Sequence, residues 1–374
     1  MNNNMLQSKI PWSVPDISVD EEKAVSEVMT SKWLGMGLKT KQFESSICNF
    51  TGSKNCIVVN NGTAALITAL LANRIGPGDE VLVPTYTFIA TVNSIIAIGA
   101  KPVLVDCDPR TFNISADQVI TVLADHPKAK GLIFVDVAGM PADIDSMREL
   151  AVKKNLILIE DAAESFGAGY KHKIVGSYDH STIFSFHIAK QMTSIEGGAV
   201  VTGDSEIAER CRLIRSHGEG KEKYVHIDIG LNFRPTDIQS AIGLVQLKKV
   251  EKYMALREKV ANAYMSSLQE FLTFQYLPNY VKRHPWMLFL CLARNLQERD
   301  ALNKFINNMG VDTRIPWPPA HVQPYHRQRI GDIKCPNADS VYERVLSLPI
   351  GNAINESDVM RVIEHVKAFY KQNG

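Results

Sequence analysis

A lysine lies among small residues just after one of the buried strands that the sequence predicts. Lys190 follows Ala189, comes five residues after Ser185, and is soon followed by Gly197 and Gly198. Partial burial favours the neutral amine, which is the form that attacks a carbonyl carbon, so Lys190 is a candidate Schiff-base amine. The Ser185 hydroxyl could donate to a phosphate. A lone lysine is more often a solvated surface charge, so this segment gains meaning only from the motifs around it.

A second candidate is an anion-binding turn at a strand-to-helix junction. The run Asn61-Gly62-Thr63 precedes a segment with apolar residues at helical spacing. Free backbone N–H groups and the positive end of a helix dipole bind anions at such a junction. Gly62 allows close approach there, and Thr63 adds a hydroxyl donor. Taken alone, the run is more often an ordinary Asn-Gly turn with a threonine cap.

Two further residues are suited to a planar heterocycle. Asp161 ends an apolar strand and is followed by two alanines and Glu164. If a pyridine nitrogen lay opposite Asp161, the carboxylate would keep it protonated and so make the ring an electron sink. Phe88, which follows another strand, could stack on the face of the ring. The ordinary alternatives are a helix N-cap for Asp161 and core packing for Phe88.

A fourth motif stands at the start of a long helical stretch. Asn232 and Arg234 supply an amide and a guanidinium, which both suit recognition of a phosphate or a carboxylate. The alternative is a loop that begins a helix and contains an ion pair.

Short β-branched runs alternate with helical patterns from residue 56 onwards. Strands are predicted over residues 56–60, 81–84, 103–106, 132–135, 156–161, 183–186 and 199–202. This alternation predicts an α/β fold with a mostly parallel central sheet, helices on both faces, and a ligand site at the strand ends. A long helix over 236–271 and a terminal helix over 356–370 predict a smaller C-terminal α+β domain. The predicted division is an N-terminal arm over 1–50, a large α/β domain over 51–235, and the long helix with the small domain over 236–374.

The composition limits the class of protein. The chain has 374 residues, 45% of them apolar, and its 41 Lys and Arg against 40 Asp and Glu leave a net charge of +1. The apolar fraction and the near-zero net charge together exclude intrinsic disorder. The net charge also gives no overall electrostatic attraction to nucleic acid or anionic lipid. The six scattered cysteines contain no CxxC pair, so the sequence predicts neither a disulfide framework nor a zinc site, and it favours a reducing compartment.

Targeting and membrane signals are not predicted either. The first nine residues contain no apolar run of the kind that a secretory signal needs. Twenty uncharged residues lie between Glu80 and Lys101, but their prolines, threonines and glycine parse as a strand, a turn and a helix rather than a membrane span. We therefore expect a cytoplasmic globular protein with no metal site.

The order of the motifs, from phosphate turn to aromatic residue to acid to lysine, resembles the fold-type-I pyridoxal-phosphate (PLP) enzymes. More narrowly, nearly the whole chain resembles the sugar aminotransferases of the DegT/DnrJ/StrS type. The segments that carry this resemblance are Ser31-Lys32-Trp33-Leu34-Gly35-Met36-Gly37 with Phe43-Glu44, Asn61-Gly62-Thr63, Gly76-Pro77-Gly78-Asp79-Glu80-Val81, Gly139-Met140-Pro141-Ala142-Asp143-Ile144-Asp145, Arg215-Ser216-His217-Gly218, Asn232-Phe233-Arg234 and Pro319-Ala320-His321.

The resemblance implies roles for individual residues. Lys190 would carry PLP as a Schiff base, and Asp161 would pair with the pyridine nitrogen. Glu164 would lie near the ring 3-hydroxyl, and Phe88 on the ring face. The phosphate would be held by Gly62, Thr63 and Ser185 and by Asn232 of a second subunit, since family members build each site across a homodimer. The candidates for substrate contact are Trp33, His187, Arg234, Arg314 and His321.

The reaction implied is a ping-pong transamination from L-glutamate to a nucleotide-linked keto sugar, which yields an amino sugar for surface polysaccharide or glycoconjugate biosynthesis. Lys190 would move the proton from the donor Cα to the cofactor. After Lys190 the chain reads Gln191-Met192-Thr193-Ser194-Ile195-Glu196-Gly197-Gly198. This run and Glu164 resemble the perosamine-synthase-like branch that aminates C4, so we expect a 4-keto-6-deoxy sugar as acceptor.

Other activities remain open at this point. A 3-keto-sugar or inosose aminotransferase is the nearest rival. A PLP-dependent sugar dehydratase would carry His in place of the lysine, and a non-catalytic PLP-binding regulator would need neither the lysine nor the acid. Four departures from the family pattern concern the substrate pocket. Asp136 stands where many members have His, and Ile195 stands where Gly often precedes Glu-Gly-Gly. Met140 and the run Trp317-Pro318-Pro319 are also less usual.

Overall fold

The computed structural model describes residues 9–373. The helices are α1 (Val19–Ser31), α2 (Leu38–Thr51), α3 (Gly62–Ala72), α4 (Ala90–Ala97), α5 (Ala116–Asp125), α6 (Ile144–Lys154), α7 (Ser205–Arg215), α8 (Asp237–Leu268), α9 (Leu296–Asn308), α10 (Pro324–Ile330), α11 (Pro336–Arg344) and α12 (Glu356–Asn373). The strands are β1 (Asn55–Val59), β2 (Glu80–Pro84), β3 (Lys101–Val105), β4 (Gly131–Val135), β5 (Ile157–Asp161), β6 (Gly169–Tyr170), β7 (Lys173–Ile174), β8 (Ser181–Ser185), β9 (Gly198–Thr202), β10 (Thr273–Phe274), β11 (Val281–Arg283), β12 (Phe289–Leu292) and β13 (Val345–Leu348). The start of the predicted arm, and with it most of the segment in which no secretory signal is predicted, lies outside the described residues.

The central sheet has seven strands in the order β1-β9-β8-β5-β4-β2-β3. The pairs β2/β3, β2/β4, β4/β5 and β5/β8 are parallel, whereas β9 runs antiparallel between β1 and β8. The mostly parallel sheet that the sequence predicts is therefore confirmed. The direction of β9 is not readable from residues 199–202, because a strand buried on both faces is apolar whichever way it runs.

Helices cover both faces of this sheet. On one face, Ile57 and Val59 of β1 join a core with α3, α4 and α7. On the other face, Cys56 and Val58 join a core with α2, α5, α6 and α8. Alternate side chains of a strand point to opposite faces, so each strand of the central sheet contributes to both cores and is apolar at its centre. Polar groups are confined to the strand ends, and the candidate site forms there.

After α8 the chain builds a smaller layer. The sheet β10-β12-β13 packs with α9, α12 and the second half of α8 in a separate core. In a third sheet β6 pairs with both β11 and β7, which links this part of the chain to the segment between β5 and β8. The predicted division at residues 235 and 236 falls just before α8, which begins at Asp237.

The N-terminal helices α1 and α2 pack against α8. Gly37 stands at the N-cap of α2 and provides no side-chain cap. The carboxylate of Asp237, at the start of α8, instead accepts hydrogen bonds from the backbone N–H groups of Gly37, Lys39 and Thr40 at 2.8, 3.1 and 3.0 Å. Asp237 thus satisfies the amides that the first turn of α2 leaves free.

The uncharged stretch after Glu80 forms β2, a turn and α4, as the sequence predicts. Over residues 9–373, no helix is long and apolar enough to cross a bilayer.

Candidate active site

The carboxyl end of β1 leads into a turn with free hydrogen-bond donors. α3 begins at Gly62, and the Asn61 side chain caps it by accepting from the Ala64 amide at 2.8 Å. The amides of Gly62 and Thr63 have no partner within the helix, because the first N–H groups of any helix lack one. Position 62 requires glycine, since a Cβ there would lie 2.9 Å from the Cβ of Ser185. Two amides, a serine hydroxyl and the helix dipole together form an anion site.

The Lys190 amine is held by a carboxylate. Its Nζ lies 3.2 Å from Oε1 of Glu164, and the lysine side chain is only 14% exposed. The second oxygen of Glu164, Oε2, accepts from the Ala138 amide at 2.9 Å. Glu164 is therefore fixed by the backbone on one side and orients the amine on the other. Lys190 is not a solvated surface charge.

Asp161 lies at the end of β5, where two donors hold its carboxylate. Thr91 Oγ1 on α4 donates to Oδ2 at 2.7 Å, and the Ala163 amide donates to Oδ1 at 3.2 Å. Burial raises the pKa of Asp161 to about 6 in spite of these donors. A cation opposite the carboxylate would favour its charged form, so this position suits a protonated ring nitrogen. Asp161 does not cap a helix, because a turn follows β5.

Asp136, one of the departures from the family pattern, does not line the cavity. Its Oδ1 accepts from the Ala142 amide at 2.8 Å, and its Oδ2 accepts from the Ser165 hydroxyl at 2.6 Å. Burial, followed by the charge of Glu160, raises the pKa of Asp136 well above its usual range. Asp136 thus holds the turn after β4 rather than lining the cavity.

These groups line a cavity of about 810 Å³. The predicted site residues that line it are Gly62, Thr63, Phe88, Asp161, Glu164, Ser185, His187, Lys190 and Arg314. Phe88 is 56% exposed, so it is not packed in the core, and its ring meets Trp317 edge-on with centroids 6.4 Å apart. The Arg314 guanidinium lies 3.0 Å from Asp312, and His187 lies 3.6 Å from Glu196.

Four predicted residues do not line this cavity: Trp33, Asn232, Arg234 and His321. Trp33 and Asn232 are exposed, and Arg234 is half-buried. His321 is buried, and its Nδ1 and Nε2 lie 2.8 Å from Thr85 Oγ1 and 3.0 Å from Asp339 Oδ1. Both ring nitrogens of His321 thus join the end of β2 to α11, and its contact with the sugar stays a prediction.

Several lining residues are missed by sequence reasoning. Thr91 is a single threonine on a short apolar helix, and its role follows only from the hydrogen bond that its side chain donates to Asp161. Trp12, Met287 and Leu288 reach the cavity from distant parts of the chain. Ile195, another departure from the family pattern, has a φ of 71°. Glycine adopts that left-handed conformation without strain, which explains why Gly is common at this position.

The side chains present fit PLP. The anion site at α3 suits a phosphate, the Asp161 carboxylate suits a protonated ring nitrogen, and the Lys190 amine suits covalent attachment to an aldehyde. Phe88 presents an exposed aromatic ring at the same cavity. Among the residues that the structure describes, no group of three or more His, Cys, Asp and Glu side chains is arranged to hold a metal ion.

Known proteins share this architecture. A family model described as the DegT/DnrJ/EryC1/StrS aminotransferase family matches residues 15–367. The chain is 36% identical over 385 aligned residues to "Uncharacterized protein MJ1066" of Methanocaldococcus jannaschii, and the alignment covers 98% of this chain and 99% of that protein.

Two solved structures are also similar. Helicobacter pylori PseC, an aminotransferase involved in the biosynthesis of pseudoaminic acid, has a TM-score of 0.91 at 29% identity, covering 98% of this chain and 100% of PseC. S. venezuelae DesV, solved in complex with a ketimine intermediate, has a TM-score of 0.91 at 31% identity, covering 97% of this chain and 99% of DesV.

The predicted family, the fold-type-I architecture and the PLP cofactor are thereby confirmed. With the family match spanning residues 15–367, the chain belongs to the DegT/DnrJ/EryC1/StrS aminotransferase family and is a PLP-dependent aminotransferase.

Proposed function

We propose that this enzyme transfers the amino group of L-glutamate to a nucleotide-linked 4-keto-6-deoxy sugar. The 4-amino sugar would then serve surface polysaccharide or glycoconjugate biosynthesis. The observation that carries amino transfer is the Lys190 amine held by Glu164 in one cavity with Asp161 and the start of α3. Membership of the family and similarity to PseC support a sugar as the acceptor.

The chain's own residues divide the work of proton transfer. When bound, PLP supplies an electron sink for the charge that remains after a proton leaves the Cα of an amino acid. Lys190 takes that proton as general base and returns one as general acid, a role that typically contributes about 10²–10⁴-fold. Glu164 orients the amine between these steps. Asp161, held by Thr91, keeps the ring nitrogen protonated.

Other residues bind and orient the two ligands. We propose that Gly62, Thr63 and Ser185 hold the cofactor phosphate and that Phe88 covers the ring. Trp12, Met287 and the run Ile315-Pro316-Trp317 form an apolar part of the cavity wall, which suits the methyl group of a deoxy sugar. Arg314 supplies a cation at the same wall for an anionic group of the substrate, and His187 a ring nitrogen.

We further propose a homodimer in which Asn232 of a second subunit completes the phosphate site. By the same symmetry, Trp33 and Arg234 of each subunit would lie close to the substrate bound in the other subunit. A cluster of exposed apolar side chains on the loop before Asn232 supports this assembly. Tyr224, Ile227 and Ile229 are 76%, 66% and 66% exposed. Large exposed apolar residues close together mark a surface that another protein covers. The six free thiols support a reducing, cytoplasmic setting.

Covalent mapping tests the lysine assignment. Borohydride reduction of the PLP-loaded enzyme should fix the cofactor on the peptide that contains Lys190, and Lys190→Ala should lose both the adduct and turnover. An adduct on Lys101 or Lys173 would overturn the assignment of the site.

A panel of substrates tests the acceptor. The pyridoxamine form should be consumed by 4-keto nucleotide sugars, which is followed by its absorbance. Consumption by 3-keto sugars alone, or by an inosose alone, would exclude the 4-keto proposal and leave the aminotransferase chemistry intact.

Complementation tests the shared site. When Lys190→Ala and Asn232→Ala subunits are mixed and reassembled, a shared site predicts one intact site in every heterodimer, hence about one quarter of wild-type activity at limiting PLP. A site built within one subunit predicts no recovery above the two parent variants.

A further inference from the structure

Arg257 on α8 is a fully buried arginine. Its side chain is 1% exposed, and burial lowers the pKa of Arg257 to about 10, so the guanidinium still carries its charge at neutral pH. In the described part of the chain, no carboxylate forms an ion pair with it. A buried charge without a counter-charge is costly, so its retention calls for a physical reason.

The guanidinium binds two segments of the candidate active site. Its Nε donates to Oδ1 of Asn352 at 2.8 Å, and its Nη1 donates to the carbonyl oxygens of Trp286 and Met287 at 2.8 and 3.3 Å. Asn352 in turn donates from Nδ2 to the carbonyl oxygen of Gln191 at 2.8 Å. Arg257 is thereby connected to the residue next to Lys190 and to the apolar wall that contains Met287.

The two segments are also joined by a second path, through Glu164 and Ala138. The Gln191 side chain donates to the carbonyl oxygen of Glu164, whose carboxylate binds both Lys190 and the Ala138 amide. The Leu288 amide, next to Met287, donates to the carbonyl oxygen of Ala138 at 3.4 Å. The hydrogen bonds therefore form a closed ring. Its members in order are Arg257, Asn352, Gln191, Glu164, Ala138, Leu288 and Met287.

Two residues at this ring have a strained backbone: Ala138, a member of the ring, and Trp286, which precedes Met287. Trp286 and Ala138 have φ values of 49° and 63°, in the left-handed region that favours glycine. Strained backbone of this kind persists only where its surroundings fix it, and it clusters at functional sites. Two hydrogen bonds hold the Trp286 backbone: Arg257 Nη1 donates to its carbonyl oxygen, and its amide donates to Nδ1 of His284 at 2.8 Å.

We propose that Arg257 and Asn352 are positioning residues for amino transfer: together they hold the Lys190 segment and the Met287 wall at one fixed separation. The amine then faces the substrate that rests on that wall in a single orientation. A displacement of about 1 Å between reacting groups can cost about 10²-fold in rate. The inference depends on the role of Lys190 proposed above.

Asn352→Asp removes one of the two connections that Asn352 makes, the hydrogen bond to Gln191, and keeps the other, the hydrogen bond from Arg257. The aspartate keeps the shape and still accepts from Arg257, but it loses the donor to the Gln191 carbonyl oxygen and faces that oxygen with a negative charge. We expect the glutamate half-reaction to slow about 10–100-fold, with a smaller change in the KM for glutamate. In PLP-free protein, the rate at which acetic anhydride labels Lys190 should change by about threefold or more.

Arg257→Lys is the second variant, because it keeps the charge and loses the fork that reaches Asn352 and the Met287 wall together. It should slow the same half-reaction and raise the KM for the keto sugar. Arg299→Lys is the matched control. Arg299 is 4% exposed and donates to the carbonyl oxygen of Tyr342 at 2.8 Å, away from the ring. The Arg299→Lys variant should have a lower melting temperature and an unchanged rate of Lys190 labelling.

The outcomes separate this inference from the proposed function. Suppose that borohydride fixes PLP on Lys190, but Asn352→Asp and Arg257→Lys change the labelling and half-reaction rates no more than Arg299→Lys does. The positioning role of Arg257 and Asn352 is then wrong, and the proposed function stands. If the adduct lies elsewhere, the proposed function fails first.

Discussion

Replacement of Asp161 by asparagine should stabilise the cofactor-free protein while it disables the enzyme. The buried carboxylate has its pKa raised from 3.8 to about 6. Because the folded pKa lies above the unfolded one, the contribution of Asp161 to stability is complete below about pH 4 and is lost as the pH rises through about 6. Two pH units at 1.36 kcal/mol each correspond to about 3 kcal/mol of lost stability at neutral pH.

Asparagine does not ionise, so Asp161→Asn avoids this loss. The difference in unfolding free energy between the variant and the wild type should therefore shift in favour of the variant by about 2 kcal/mol between about pH 4.5 and pH 8. Urea titrations of the PLP-free proteins across this range measure the difference. Added PLP should stabilise the wild type much more than the variant, since the variant lacks the charge that faces the ring nitrogen.

Asp145→Asn provides the matched control. A hydrogen bond from Lys171 lowers the pKa of Asp145, so its contribution is lost as the pH falls, and the difference should move in the opposite direction. If Asp161→Asn follows the same direction as Asp145→Asn, burial does not dominate at Asp161 and the reasoning is refuted.

Three further predictions concern neighbouring groups. Gly62→Ala should weaken PLP binding about tenfold in a spectroscopic titration, because the added Cβ would lie 2.9 Å from Ser185, whereas Gly76→Ala meets no atom within 4 Å and should bind normally. Thr91→Val removes a donor to the Asp161 carboxylate, so the pH midpoint of PLP binding should rise by about one unit, and an unchanged midpoint would exclude Thr91 as a determinant of that pKa. Asp237→Ala should lower the free energy of unfolding by about 2–4 kcal/mol and increase hydrogen exchange in α2, and exchange that rises equally in all helices would argue against a specific cap.

The sheet and the main site residues are largely predictable from the sequence, because strand ends carry the polar exceptions to an apolar pattern. Lys190, Asp161 and Gly62 each follow a continuous apolar run, so their positions at one edge of the sheet follow from the parallel topology. The antiparallel β9 is not predictable in this way, since its apolar residues are the same in either direction.

The other walls of the cavity are not predictable, because they depend on distant parts of the chain. Trp12 and Met287 lie far apart in sequence and line the same space. The partners of His321 are unpredictable for the same reason: Thr85 and Asp339, which hold its two ring nitrogens, lie in other parts of the chain. Which side of a helix or loop faces the site is set by packing that no local pattern records.

The cap of α2 by Asp237 has a consequence for how the protein is made. The amides of Gly37 and Thr40 receive their acceptor from a residue 200 and 197 positions later in the chain. At roughly 5–20 residues per second, a ribosome needs about 10–40 s to add that much polypeptide. Throughout this interval the nascent α1 and α2 have no α8 to pack against, and their apolar side chains are open to chaperones. The N-terminal helices should thus join the fold late in translation, although they are synthesised first.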